Sequence, residues 1–320
     1  SCQATDLFAR GAVEILQKVG CHYLAFGCEG GDEAFFGAAV SQRQAIEKEI
    51  SRFVEENRSF TFANQLTQLA MKKFGEESAL VEALQSPNQQ LGLAYALENE
   101  KSEHPMQIVP ITRVGSGHLD DALEETAFAS GTALRKALKD NRDDQVLRAQ
   151  LSYVRLDEEE YQNDWSSYWP LLKSIILRST DEEMRAIYQM EEGIENRLKE
   201  VIRTTSSIEE CLQQLKNKRW SWARLQRLLV YVLLGVTKAE MKDYWSSPIE
   251  QGTVLGFTVK GQEWLKNMRE VELFHLITNY AAHKDERQES WDLLYDFWNP
   301  SKQISATVFK PVQVNKEEGF

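Results

Sequence analysis

Ser130, Gly131 and Thr132 stand side by side where a helical pattern begins, and Arg135 follows one turn later. The first N–H groups of a helix have no intrahelical partner and carry a partial positive charge, so a helix start of this kind suits a phosphate. Two hydroxyls add donors, glycine admits close backbone approach, and a guanidinium adds a planar cationic fork. The same residues also make a plain N-cap with an arginine on a solvated face. Local spacing leaves both readings open.

A second candidate is LAFGCEGGDE, residues 24–33, an apolar run that ends in glycine and then acids. Gly27 at a strand's carboxyl end would let a nucleotide's ring or ribose lie against bare backbone, and Asp32 and Glu33 would hold a ribose or a metal. A glycine-rich connection with solvated acids is the plainer alternative. Asn88 and Arg113 stand at a helix start and a strand end. An asparagine can read an adenine or hold a ribose, and an arginine can pair bidentately with phosphate; a cap and a surface charge are the competing roles.

The stretch KNKRWSWARLQR brings Lys216, Lys218, Arg219, Arg224 and Arg227 together with Trp220 and Trp222. Cations for phosphates and aromatics for unpaired bases are the means by which single-stranded RNA is recognised. A basic amphipathic helix with core tryptophans fits the pattern equally. The five histidines show no H-E-x-x-H spacing, and no metal site is assigned. His118 sits in a polar loop, GSGHLDD.

The elements that must position these groups fall into two kinds. Over the first 115 or so residues, helical patterns alternate with two apolar runs, HYLAFG and MQIVPITRV. Alternation of that sort implies a parallel α/β sheet, with ligands beyond the carboxyl ends of its strands. Leu7, Phe8, Val13, Ile15 and Leu16 mark the apolar face of a first helix that Gly20 stops, while QRQAIEKEISRFVEEN reads as one helix and SPNQQLGLAYALEN as another, with Ser86 as cap and Pro87 at its first position. From Asp164 to Trp245 nearly every window is helical. The expected division is an α/β unit over 1–150 and a mainly helical one over 151–320.

The totals narrow the class. In 320 residues, 42% are hydrophobic and 27% charged, the profile of a globular chain. A formal charge of −12 argues against bulk electrostatic attraction to nucleic acid but leaves room for a local basic stripe. Cys2, Cys21, Cys28 and Cys211 form no C-x-x-C pair, which suits free thiols in a reducing cytoplasm. The longest apolar run, LQRLLVYVLLGV, is too short to span a bilayer, so no membrane is expected as a partner. The chain opens on Ser1 and enters a helical pattern almost at once, from which an upstream segment is expected.

ATDLFARGAVEIL, LAFGCEGGD, SPNQQLGLAYALE, ITRVGSGH and FASGTALRKAL follow one another in an order that resembles the bacterial tRNA(Met) cytidine acetate ligases. EEGIENRLKEVI and KRWSWARLQRLLVYVLLG look like the same family's helical motifs, so the resemblance runs through essentially the whole chain. It implies a Rossmann-like nucleotidylyltransferase fold, incomplete at its N-terminus, followed by a mainly α-helical unit that binds tRNA through Lys216, Lys218, Arg219, Arg224 and Arg227. It also implies that Ser130, Thr132 and Arg135, as S-x-T-x-x-R, hold the phosphates of ATP, and that Gly27, Asn88 and Arg113 contribute to ATP binding. Gly131 stands where alanine is the family's residue. The family's H-x-G-H motif, which holds the triphosphate, does not occur in these residues. The chain therefore reads as the family's protein without its first strands and helices, with catalysis by residues 1–320 alone expected to be impaired.

The implied reaction is activation of acetate by ATP, with magnesium, to acetyl-AMP, then acetylation of the wobble cytidine of elongator tRNA(Met). A small-molecule adenylyltransferase and a catalytically incompetent RNA-binding fragment stand beside it as alternatives.

Overall fold

Leu24, Phe26 and Cys28 alternate with Tyr23, Ala25 and Gly27, and this period of two buries the first set while exposing the second. The strand so formed, β1 (Tyr23–Cys28), pairs in parallel with β2 (Gln107–Thr112), Tyr23 opposite Gln107 and Cys28 opposite Thr112. This computed structural model describes residues 3–56, 61–113, 131–139, 147, 165–268, 274–280, 283, 285–296 and 312–313. Pro110 has no N–H to donate, and among the described residues β2 pairs with β1 alone, an edge position that tolerates proline.

Helices α1 (Thr5–Lys18), α2 (Glu33–Ala45) and α6 (Pro87–Asn99) build the core on the buried face, with α3 (Glu47–Glu56), α4 (Phe62–Phe74) and α5 (Ala79–Ala83) between the last two in sequence. Ser86 caps α6 by accepting from the Gln89 N–H at 3.2 Å, with Pro87 at the first helical position. At the other end of α6 the buried Asn99 amide donates to the Met106 carbonyl at 2.7 Å and accepts from the Met106 N–H at 2.9 Å. That reciprocal pair ties the exit of α6 to the entry of β2 and satisfies buried backbone groups.

Two expectations change here. The acidic turn after β1 is shorter than the sequence implied, because EAFFGAAV already belongs to α2; that helix ends at Ala45, and the buried Ile46 separates it from α3. In α1 the core takes Ala9 and Val13, while Phe8 stays 46% exposed. The buried stripe is rotated from the one marked by the largest apolar side chains.

Phe26 and Phe36 meet edge to face, with ring centroids 5.0 Å apart, and Gly92 of α6 lies against both. A β-carbon at residue 92 would stand 2.7 Å from Phe26 Cε2 and 2.8 Å from Phe36 Cε1. Gly92→Ala is therefore expected to lower stability by about 1–3 kcal/mol through overpacking, read as a lower midpoint in urea unfolding. An unchanged midpoint would mean that the two rings move apart freely.

After α7 (Gly131–Lys139), the helices α8 (Trp165–Arg178), α9 (Asp181–Ala186), α10 (Ile194–Thr204), α11 (Ile208–Leu215), α12 (Trp222–Leu234) and α13 (Lys238–Ser246) follow. Their starts are written in the sequence: Thr180 and Thr237 make capping boxes with Glu183 and Glu240, and Ser207 and Ser221 cap α11 and α12. Leu172, Ile176, Leu198, Ile202, Leu212, Leu225 and Leu229 form a second buried cluster, separate from the first. Beyond it lie the short parallel pairs β3 (Gln251–Thr253) with β5 (His275–Ile277) and β4 (Gly256–Phe257) with β6 (Val312–Gln313), and helices α14 (Val259–Met268) and α15 (Glu286–Asp296).

Helix α1 serves both clusters. Leu7 packs on the helical one, and Val13 and Leu16 on the α/β one. The guanidinium of Arg10 donates to the carbonyls of Tyr244, Trp245 and Ser247 at the end of α13, where carbonyls lack helical partners, and Glu14 accepts from the Ile249 N–H at 2.7 Å. Among the described residues no helix is long and apolar enough to cross a membrane.

Candidate functional site

The carboxyl end of β1 runs into Cys28–Glu29–Gly30–Gly31–Asp32. Gly31 holds φ at +90°, and a β-carbon there would stand 2.5 Å from the Phe35 ring, so only glycine makes this turn without strain. Asp32 closes the turn by accepting from the Phe35 N–H at 2.9 Å, as the N-cap of α2. Its Oδ1 thereby serves as a helix cap.

The acid that faces the candidate site is Glu29. Its two carboxylate oxygens accept from Ser86 Oγ at 2.5 Å and from Asn88 Nδ2 at 2.6 Å. The Gln89 amide donates to the Gly30 carbonyl at 3.1 Å, so the turn after β1 is fastened to the first turn of α6 by three side chains. Burial on its own would raise the Glu29 carboxyl, but hydrogen bonds from Ser86 and Asn88, with the positive charge of Arg113, outweigh it and hold the group below its ordinary range. Glu29 is thus an anion at neutral pH.

Arg113 arrives from β2. Its backbone N–H donates to the Cys28 carbonyl at 2.9 Å, carrying the parallel ladder one step past the strand end. Its aliphatic stem lies over Gly27, where an added β-carbon would come within 3.6 Å of Arg113 Cγ. Gly27, Asn88 and Arg113, far apart in sequence, therefore gather around Glu29 at the carboxyl ends of two parallel strands, the place where open α/β sheets bind ligands. Ser130 and His118 lie outside the described residues. Thr132 and Arg135 take their places in the backbone of α7, whose first residue is Gly131.

Sequence reasoning passed over Glu29 in favour of the acids two and three residues beyond Gly30. The usable signal was its place: the first residue past the strand, flanked by a buried cysteine and a glycine.

In the basic stretch, Trp220 is 3% exposed and belongs to the helical core, while Trp222 is 36% exposed at the start of α12. Of the two readings left open for the tryptophans, Trp220 takes the core one, walled in by packing. Arg224 lays its guanidinium 3.8 Å from the centre of the Trp220 ring and pairs with Glu191 at 3.7 Å, and Arg219 pairs with Glu192 at 3.4 Å. The short segment bearing those glutamates holds left-handed backbone at Gln189 (φ 62°) and Glu192 (φ 59°) as well as Gly193, a conformation that costs a non-glycine residue about 1 kcal/mol or more. Arg227 is half-buried; Lys216 and Lys218 are exposed and form no ion pair among the described residues.

Residues 1–315 match the HIGH Nucleotidyl Transferase family. A tRNA(Met) cytidine acetate ligase from Lactobacillus gasseri is 32% identical over 278 residues, covering 85% of this chain and 69% of that protein. The chain belongs to this ligase family. A tRNA(Met) cytidine acetate ligase from Bacillus licheniformis is 33% identical over 293 residues, 88% of this chain and 70% of its own length. Among solved structures, apo Thermotoga maritima TmcAL superposes with a TM-score of 0.83 at 22% identity, covering 98% of this chain and 82% of its own. The same protein bound with alpha-thio ATP gives 0.78 at 21% identity, with 98% and 81% covered. The family match supports the nucleotidylyltransferase reading, and the corner built by Gly27, Glu29, Asn88 and Arg113 is this ligase-family chain's candidate nucleotide site.

Proposed function

We propose that the protein is an ATP-dependent ligase that activates acetate as acetyl-AMP and acetylates the exocyclic amine of the wobble cytidine of elongator tRNA(Met). The observation that carries this reading is the gathering of Gly27, Asn88 and Arg113 at the ends of two parallel strands in a chain of the tRNA(Met) cytidine acetate ligase family.

The chemistry fits a site with no need for a protein nucleophile. Acetate is a poor acyl donor because its leaving group would be oxide. Its carboxylate attacks the α-phosphorus of ATP, the bond to the β-phosphate oxygen breaks, and pyrophosphate leaves. The cytosine amine, a weak nucleophile because its lone pair is delocalised into the ring, then attacks the acetyl carbonyl and AMP departs. Positioning and charge stabilisation do the catalysis. Gly27 seats the aliphatic stem of Arg113, Asn88 holds the nucleoside, Arg113 meets phosphate with its fork, and Ser130, Thr132 and Arg135 clamp phosphates at the start of α7. Magnesium accompanies the phosphates of ATP. The unit over 151–320 grips tRNA with Lys216, Lys218, Arg219, Arg224 and Arg227, and the work is done in the cytoplasm.

The test is acetate-dependent pyrophosphate release, followed by nucleoside mass analysis of tRNA(Met) for acetylated cytidine. Release that requires acetate, and acetylcytidine that requires tRNA, are the expected results. Release indifferent to acetate would point to a small-molecule adenylyltransferase. Binding of tRNA with no pyrophosphate release would leave an RNA-binding protein in place of an enzyme.

A further inference from the structure

We propose that Glu29 is the positioning residue of the nucleotide site, and that it acts by fixing which way the Asn88 amide faces. The inference rests on the nucleotide reading above and concerns a residue to which neither the sequence motifs nor the comparisons give a role.

An ionised carboxylate can only accept hydrogen bonds, whereas a primary amide has a donor end and an acceptor end. With Glu29 held as an anion 2.6 Å from Asn88, only the Nδ2 end can face it. The reversed amide would set oxygen against carboxylate. The chemistry of the neighbour thus decides which end of the amide faces it. The second oxygen of Glu29 is engaged by Ser86 Oγ, and that hydroxyl in turn accepts from the Gln89 N–H. Ser86 thereby gives its only proton to the carboxylate while its oxygen caps the helix, so the clasp cannot rotate away without uncapping α6. Among the described residues Asn88 Oδ1 accepts no hydrogen bond from the protein. The corner therefore offers one oriented acceptor, Asn88 Oδ1, in the first turn of α6, where Arg113 from the end of β2 lies over Gly27.

An acceptor selects a donor. On adenosine the donors are the exocyclic amine of the base and the hydroxyls of the ribose. Inosine triphosphate lacks the first and 2′- or 3′-deoxy-ATP lacks one of the second, so the three analogues tell the two sources apart. Whichever donor Asn88 Oδ1 accepts, the native protein should bind the analogue without it about tenfold more weakly than ATP. In Glu29→Gln, whose neutral amide allows Asn88 to face either way, that discrimination should fall away.

The experiment is calorimetric titration of the full native protein with ATP and the three analogues. It compares wild type with Glu29→Gln, Asn88→Ala and the double variant. Each single change is expected to weaken ATP about tenfold, and the double variant to bind no more weakly than Asn88→Ala alone, with thermal midpoints unmoved. A reciprocal rescue is also expected. Asn88→Asp sets two carboxylates face to face and weakens ATP, and adding Glu29→Gln restores a donor opposite an acceptor and recovers binding. Additive losses, or no recovery in the exchanged pair, would overturn the role of Glu29 while leaving the nucleotide site standing. A native protein that binds ATP without penalising any of the analogues would overturn it too. A native protein that does not bind ATP would overturn the nucleotide reading together with it.

Discussion

Arg113→Ala is expected to weaken ATP binding about 10- to 100-fold while leaving the unfolding midpoint within a degree or two of wild type. The separation of the two effects follows from how the residue is held. Its contribution to the fold is a backbone N–H given to the Cys28 carbonyl, which alanine supplies equally well. Its side chain is exposed, with the stem resting over Gly27, and among the described residues it enters no ion pair within 4.0 Å. Hydrogen bonds from a charged donor contribute about 1.5–3 kcal/mol where water is displaced, and each 1.4 kcal/mol is about tenfold in affinity. Removing the guanidinium also withdraws a positive charge from Glu29. Arg113→Lys keeps that charge but replaces a planar fork with a point charge, so it should recover only part of the loss. Calorimetric titration with ATP checks all three proteins. An unaltered dissociation constant for Arg113→Ala would remove Arg113 from the site.

The places where the sequence speaks clearly are those where local chemistry and tertiary need coincide. Ser86–Pro87 announces the start of α6 because a cap and a fixed φ both belong there, and Thr237 with Glu240 announces α13 for the same reason. Strand ends are legible as well, which is why Gly27 and Arg113 can be placed at one edge before any fold is known. What stays hidden depends on partners remote in sequence. Glu29 is 57 residues from Ser86 and 59 from Asn88, and only its place as the first residue past the strand sets it apart from Asp32 and Glu33. Hydrophobicity alone marks Phe8 as a core residue of α1, but the helix turns Ala9 and Val13 inward because α6 packs closely there. Strand β5 and helix α15 went unanticipated: three residues of strand carry too little periodicity to stand out, and α15 has a weak apolar stripe. Trp220 and Trp222 look alike in the sequence, and only packing against the helical cluster tells them apart.

That distinction divides the basic stretch into two functional classes, and a salt titration separates them. Lys216 and Lys218 are exposed compact charges with no ion pair among the described residues, suited to phosphates. Replacing both with alanine should weaken tRNA binding and lower the slope of log K against log salt by about 2, since each lost phosphate contact removes about one unit. The thermal midpoint should not move, because both side chains are exposed. Arg224 is of the other class. Its guanidinium covers the Trp220 ring and meets Glu191, and a partly desolvated cation–π contact contributes about 0.5–2 kcal/mol. Arg224→Ala should therefore lower the thermal midpoint as well as tRNA affinity, and the affinity it loses should exceed what one phosphate contact explains, because Trp222 and Arg227 are positioned by the same helix start. Measuring tRNA affinity at several salt concentrations alongside the melting curve tests both claims. A lysine pair whose loss leaves the slope unchanged would take the stretch out of the RNA interface. A reduced slope in Arg224→Ala at an unmoved midpoint would make that arginine a phosphate contact like the lysines, and its place over Trp220 incidental.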